Sequence, residues 1–324
     1  MTLHTAASSI EQIILPNVRD IGGFDVRRAL PSAQRRMVGP FVFLDSFGPV
    51  VFGVGQGVDT RPHPHIGLAT ISYLLQGEML HRDSAGHTQQ LQAGEVNLMV
   101  AGRGIVHSER SSDPVRASGG TLMGLQAWVA LPEAHEETEP GFQHLTGPLL
   151  PTIEGDGVSL RLLAGSFEGV RASTRTFSDL FYADLQLQAG ARYHLSAEHI
   201  ERALYVVSGE VEVEVEVVGQ AGRFGADQLV VLRPGSDVII RALKGARLML
   251  LGGEPLDGPR HIYWNFVSSR QDRILQAADD WRARRFPDVP GDDDYIPLPD
   301  TGSRWRFKEC PGHHPVGSVI VANR

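Results

Sequence analysis

Two short segments carry residue types that could gather around one metal ion. The first is His63-Pro64-His65, and the second, 44 residues further on, is His107-Ser108-Glu109. In an extended strand, residues i and i+2 point to the same face, so each segment presents a pair of donor side chains to one side. Pro64 favours the extended form for His63 and gives no ladder hydrogen bond. That places the segment at a sheet edge or barrel rim, where a site stays open to substrate. Ala101-Gly102-Arg103-Gly104 runs into the second pair, and its glycines can take unusual φ angles or permit close packing. Together the two pairs supply three imidazole nitrogens and one carboxylate oxygen. That donor set suits an octahedral divalent first-row metal with two positions left for water, oxygen or substrate. Iron(II) fits best by analogy with other His/carboxylate oxygenase sites. Nickel, manganese, cobalt, copper and zinc are compatible too, because affinity order does not choose between them.

Other polar residues carry less. His81 and His87 flank Arg82-Asp83-Ser84-Ala85-Gly86 and are expected to stabilise that turn, beyond the end of a strand. His194, His199 and Glu201 have no partner pair and are expected to be ordinary surface or supporting groups. Gly102-x-Gly104 lacks the third glycine and the βαβ context of a dinucleotide fingerprint. The single cysteine, Cys310, makes no internal disulfide and no cysteine-based zinc cluster, which fits a reducing compartment. The formal net charge is −8 with a pI near 5.9, so the bulk field repels nucleic-acid phosphates. The pairs Arg27-Arg28 and Arg35-Arg36 are expected on solvated loops. The opening residues show no basic stretch followed by an apolar one, so a secretory signal is not expected. No apolar run approaches the roughly 20 residues of a membrane-spanning helix. A cytoplasmic protein is expected.

The elements that must position the four donors are strands. Phe41 to Leu44, Ala69 to Leu75, Val96 to Val100, Leu122 to Leu131 and Phe181 to Leu187 are strand-like, with Gly-bearing turns between such runs at Gly77-Glu78, Ala93-Gly94, Ser208-Gly209 and Pro234-Gly235. That pattern predicts an all-β sandwich or barrel. Val211 to Val217 alternates Val and Glu, one face inward and one outward. A single helix is predicted over Arg270 to Arg285, capped by Ser268-Ser269, with Ile274, Ala278 and Trp281 on its core side.

The chain also repeats itself at an offset of 132 residues. Tyr73-Leu74-Leu75-Gln76-Gly77-Glu78-Met79 falls on Tyr205-Val206-Val207-Ser208-Gly209-Glu210-Val211, and Gly94 to Glu109 falls on Ala226 to Arg241 without a gap. Two similar β-units in tandem follow, with a boundary near residues 145 to 160. At this offset the four donors become Leu195, Ala197, Ile239 and Arg241, so the second unit has no equivalent site.

These residues resemble the pirin family of the cupin superfamily. The resemblance rests on Pro62-His63-Pro64-His65-x-Gly67, Tyr73-Leu74-Leu75-x-Gly77, His81-Arg82-Asp83-Ser84-x-Gly86 and Ala101-Gly102-Arg103-Gly104-Ile105-Val106-His107-Ser108-Glu109, with Gly39-Pro40-Phe41, Asp45 and Gly124-Leu125-Gln126-x-Trp128-Val129-x-Leu131-Pro132. It implies two tandem cupin barrels with a short C-terminal helix: residues 1–150 with the metal and 151–300 without; the basic extension over 301–324 departs from the family's usual pattern. The family's three His and one Glu fall on His63, His65, His107 and Glu109. Ala69 stands where the family carries a Glu that is not the carboxylate ligand. Leu98 stands where an aromatic is usual, which is expected to widen the pocket. Several pirins cleave flavonols such as quercetin with molecular oxygen, so the resemblance implies a dioxygenase with a flavonol-like aromatic substrate and O2. Glu109 is then the candidate base, and Phe52, Leu98, Met99, Met123, Gln126 and Trp128 are candidate pocket walls. Other pirins act without catalysis, on protein partners, and an acidic surface would suit a basic one.

Overall fold

A computed structural model describes residues 9–21, 23–215, 221–299 and 319–320 of the chain. The Cys310 and His313-His314 tail falls outside the described residues. The chain divides into two compact units. One holds Pro148–Pro255 with Arg27–Phe41 and the described part of Met1–Asn17. The other holds Val18–Val26, Val42–Gly147 and the described part of Leu256–Arg324.

The chain opens with β1 (Ile10–Ile14), β2 (Asn17–Asp20) and β3 (Asp25–Leu30). The unit that holds His63, His65 and His107 then runs through β4 (Phe41–Phe52), β5 (Asp59–His65), β6 (Leu68–Gln76), β7 (Glu78–Asp83) and β8 (Thr88–Gln92). It continues with β9 (Val96–Val100), β10 (Ile105–Arg110), helix α1 (Asp113–Ser118), β11 (Gly120–Ala130) and β12 (Gly141–Leu145). Its strands form two sheets, ordered β5-β10-β7-β8 and, in part, β12-β9-β6-β11-β4. The pairs of β5 to β12 with one another in these two runs are antiparallel. Phe47, Phe52, Val58, Leu74, Met79, Leu91 and Leu122 pack into one buried apolar cluster of this unit.

The second unit has the same plan. Its strands are β13 (Thr152–Gly155), β14 (Val158–Phe167), β15 (Val170–Arg171), β16 (Leu180–Leu187), β17 (Arg192–Leu195) and β18 (Glu201–Ser208). They are followed by β19 (Glu210–Val215), β20 (Ala221–Gly225), β21 (Gln228–Leu232), β22 (Val238–Ala242) and β23 (Ala246–Gly253). The order β17-β22-β19-β20 copies β5-β10-β7-β8, and β21-β18-β23 copies β9-β6-β11. Val211 and Val213 are buried, as their alternation predicts.

Four local expectations change. Helix α2 (Gln271–Arg282) is capped by Arg270, with no side-chain cap bond. Ser268 Oγ instead accepts the Arg270 N–H, and the Ser268 and Ser269 hydroxyls donate to the buried Glu136 carboxylate. Arg35 lies on no solvated loop: it is buried between Glu11 and Glu201 at 2.8 and 3.1 Å. Glu201 also accepts the Gly39 N–H at 2.6 Å, so it is an internal anchor. His199 is buried and stacks on Phe181, whereas His194 is half exposed. α1, capped by Ser112, has too few residues to show helical periodicity.

Candidate metal centre

β5 and β10 lie side by side with His63 directly opposite His107 and His65 opposite Ile105. Same-face spacing then turns His63, His65 and His107 into the lumen, where all three are buried. Their ligand atoms lie within 4.8 Å of one another, and His65 Nε2 and His107 Nε2 are 3.1 Å apart. The turns that hold them need glycine. Gly67, after His65, has φ +67°, and a Cβ there would run into the Val267 carbonyl; Gly102 has φ +50° and a Cβ would meet the Thr138 carbonyl. Residues with Cβ atoms are strained in that region of φ.

The far sides of two rings are tied down. His63 Nδ1 lies 2.8 Å from the Arg61 carbonyl and His65 Nδ1 lies 3.2 Å from the Asn265 carbonyl. A carbonyl only accepts, so each Nδ1 carries the hydrogen and each Nε2 keeps its lone pair. Burial pushes the His63 imidazole down to about 4, the Arg61 hydrogen bond opposing and the His81 charge assisting. Burial and the neighbouring histidines hold His65 and His107 well below the ordinary value. Three neutral imidazoles converging on one focus are what a divalent cation requires. The residues fit a metal ion.

Glu109 stands on the same strand but outside the cluster of three. Its carboxylate accepts from Ser72 Oγ at 3.3 Å, and Ser72 Oγ lies 2.6 Å from Gln126 Oε1. Burial raises the Glu109 carboxyl, against the lowering influence of His81 and the Ser72 hydroxyl. A bulge between His107 and Glu109 breaks the register with β5, while β7 stays in register and sets His81 opposite Glu109.

The other pocket candidates separate by strand face. Trp128 packs edge-on against His65 with ring centres 5.1 Å apart and stacks on Phe43 at 3.9 Å. Trp128 pairs with Thr70, Thr70 with Met99, and Met99 with Phe142. Gln126 pairs with Ser72 one level away. Met99, Gln126 and Trp128 therefore share the lumen face. Leu98 and Ala69 alternate with them and point to the opposite face, so neither residue adjoins the donors. Phe52 belongs to a separate apolar cluster with Phe47 and Leu122, and Met123 sits beside Gly48 of β4 at a register shift.

His81 lies within β7, buried, not beyond a strand end. Its Nδ1 is 3.4 Å from His107 Nδ1, and its Nε2 is 3.1 Å from Asp83 Oδ2. Burial pushes the Asp83 carboxyl up, but hydrogen bonds and charge from His81 and His87 outweigh it and hold it below the usual range. The signal was present in the sequence: His81-x-Asp83 has the same i,i+2 spacing as the donor pairs. Among the described residues no helix is long and apolar enough to cross a membrane.

Residues 23–129 match the Pirin family and residues 182–287 match the Pirin C-terminal cupin domain. The chain is 47% identical over 287 residues to a pirin-like protein of Caulobacter vibrioides, covering 87% of this chain and 96% of that one. It is similar to the crystal structure of quercetin 2,3-dioxygenase from Acinetobacter baumannii, with a TM-score of 0.79, 34% identity, and coverage of 93% of this chain and 96% of that one. A bacterial pirin of Escherichia coli in complex with nickel(II) shares the fold, with a TM-score of 0.59, 19% identity and coverage of 76% and 99%.

Proposed function

We propose that this chain, which belongs to the pirin family, is a dioxygenase that holds iron(II) on His63, His65, His107 and Glu109 and cleaves a flavonol such as quercetin with O2. The observation that carries it is the triad of buried, neutral imidazoles whose Nε2 atoms share one focus. The likeness over nearly the whole chain to a quercetin 2,3-dioxygenase of known structure supports the substrate class. The bound ion supplies Lewis acidity, which lowers the pKa of a flavonol 3-hydroxyl. Nickel, manganese, cobalt, copper and zinc suit the same donors.

The chain's own residues do the rest. Glu109 takes the 3-hydroxyl proton, since burial gives its carboxylate a raised proton affinity. Ser72 holds that carboxylate through its hydroxyl. A carboxylate engaged on a cation is a weak base, so its two roles alternate. Trp128, braced by Phe43, offers a flat apolar wall beside His65 for an aromatic ring. Met99 and Gln126 face the same space, the latter as a polar contact.

The test is oxygen consumption with quercetin by iron-loaded protein, read together with metal content. The wild type should consume O2 as quercetin disappears, and His63→Ala should lose both metal and uptake. Full metal occupancy with no uptake from any flavonol would overturn the enzyme assignment and favour a regulatory, partner-binding role.

A further inference from the structure

Two of the three histidine ligands are oriented by carbonyl groups, but the third is not. His107 Nδ1 faces another imidazole, His81 Nδ1, at 3.4 Å. A carbonyl fixes the direction of a hydrogen bond. An imidazole nitrogen does not, because either ring can carry the hydrogen. Something further along must settle which one does.

That group is Asp83. Its side chain is fully buried, and its two oxygens have separate duties. Oδ1 accepts the backbone N–H groups of Ala85 and His87, each at 3.0 Å. Oδ2 lies 3.1 Å from His81 Nε2, and His87 Nδ1 is 3.0 Å from both oxygens. Phe142 stacks on His81 at 4.6 Å and on His87 at 5.2 Å, which holds both rings in place. The carboxylate has no hydrogen to give, so His81 Nε2 must carry one. A neutral His81 then has a bare Nδ1, which can only accept. His107 Nδ1 must donate to it, and His107 Nε2 is left bare, facing His65 Nε2.

We propose that Asp83, acting through His81, sets the tautomer of His107 and so keeps its Nε2 free to hold the metal. Both are positioning residues and neither is a ligand. The inference rests on the metal assignment above. His87 steadies Asp83 from the solvent side, where its own side chain is 42% exposed.

Asp83→Asn is the decisive variant, because it changes one atom and reverses the chain. The backbone N–H groups of Ala85 and His87 keep the amide oxygen in the Oδ1 position. The amide NH2 then faces His81 Nε2, which must accept. His81 carries its hydrogen on Nδ1, His107 must accept in turn, and its Nε2 becomes protonated. Loss of an outer partner of this kind costs roughly 10- to 100-fold in metal affinity, to be read by zinc competition against a chelator. In Asp83→Asn with His81→Glu, the new carboxylate can only accept, so it takes the His107 Nδ1 hydrogen whatever stands at position 83. That double variant should recover most of the lost affinity.

Nitrogen-15 NMR of the histidine rings in metal-free protein gives a readout that general loosening of the fold does not mimic. His107 Nε2 should be unprotonated in the wild type and protonated in Asp83→Asn. A wild-type protein with a protonated His107 Nε2 overturns the proposal without any variant. So does an Asp83→Asn protein that binds zinc as tightly as the wild type. If instead the wild type shows the expected tautomer but binds no divalent metal, the relay stands and the metal assignment falls.

Discussion

The two barrels share a strand plan and differ in what fills it. In the first, His63 stands opposite His107, and His81 opposite Glu109. In the second, the corresponding pairs are Leu195 opposite Val238 and Val213 opposite Ile240. Ser72 lies between Gln126 and Asn97; its counterpart Leu204 lies between Leu250 and Val230. All seven of these second-barrel residues belong to one apolar cluster. One lumen is thus a packed hydrophobic core, and the other gives up that packing to hold imidazoles, a hydroxyl, an amide and a carboxylate. Polar groups in such a place cost stability unless partnered, which is why nearly every one here has a named partner.

Acid should break the comparison most. His63, His65 and His107 are held neutral in the folded barrel, His63 with its value lowered to about 4. In the unfolded chain they titrate near about 6.5. Between these values the unfolded state binds more protons, so folding stability falls as pH drops from about 6.5 towards 4 and the effect is complete below the folded value. Urea midpoints of metal-free protein at pH 7, 5.5 and 4 should fall steadily. A midpoint unchanged down to pH 4.5 would mean that the imidazoles are not buried as described.

Placing first-barrel chemistry in the second should come next. Leu204→Ser removes buried apolar volume and leaves a hydroxyl with no polar neighbour in that cluster, at a cost of about 3–5 kcal/mol. Urea denaturation at pH 7 measures it, and a cost under about 1 kcal/mol would show that the second lumen tolerates polarity. The reverse exchange should be the mildest. His107→Val installs the residue of the apolar barrel; metal-free stability should fall by about 1–3 kcal/mol, because the buried His81 Nδ1 loses its partner, while bound metal is lost. Elemental analysis after desalting checks the second half, and retention of stoichiometric metal would remove His107 from the ligand set.

Much of this was legible in residue order. The i,i+2 rule singled out His63, His65 and His107, which converge, and Glu109, which stands outside that cluster, and the glycine-rich turn before the second pair proved to need positive φ at Gly102 and Gly104. Recurrence at 132 residues anticipated the copied strand order. What escaped needs knowledge of the partner strand. The gapless match assigned Ile239 and Arg241 to His107 and Glu109, but β22 pairs one residue out of step with that match against both neighbours, so the counterparts are Val238 and Ile240. A one-residue step exchanges the faces of a strand; Leu98 and Met99 are neighbours in β9, so only Met99 faces the lumen. His81 was hidden because β7 runs on to Asp83, past where the turn chemistry suggested its end.

The hydrogen bond from His65 to the Asn265 carbonyl spans 200 residues of chain. At about 5–20 residues per second of synthesis, roughly 10 to 40 s separate the emergence of the two partners from a ribosome. The first barrel is translated early, yet His65 meets its orienting carbonyl only after the second barrel has been made. A product that ends before Asn265 therefore carries His65 without the group that fixes its ring, while His63 and His107 keep their partners.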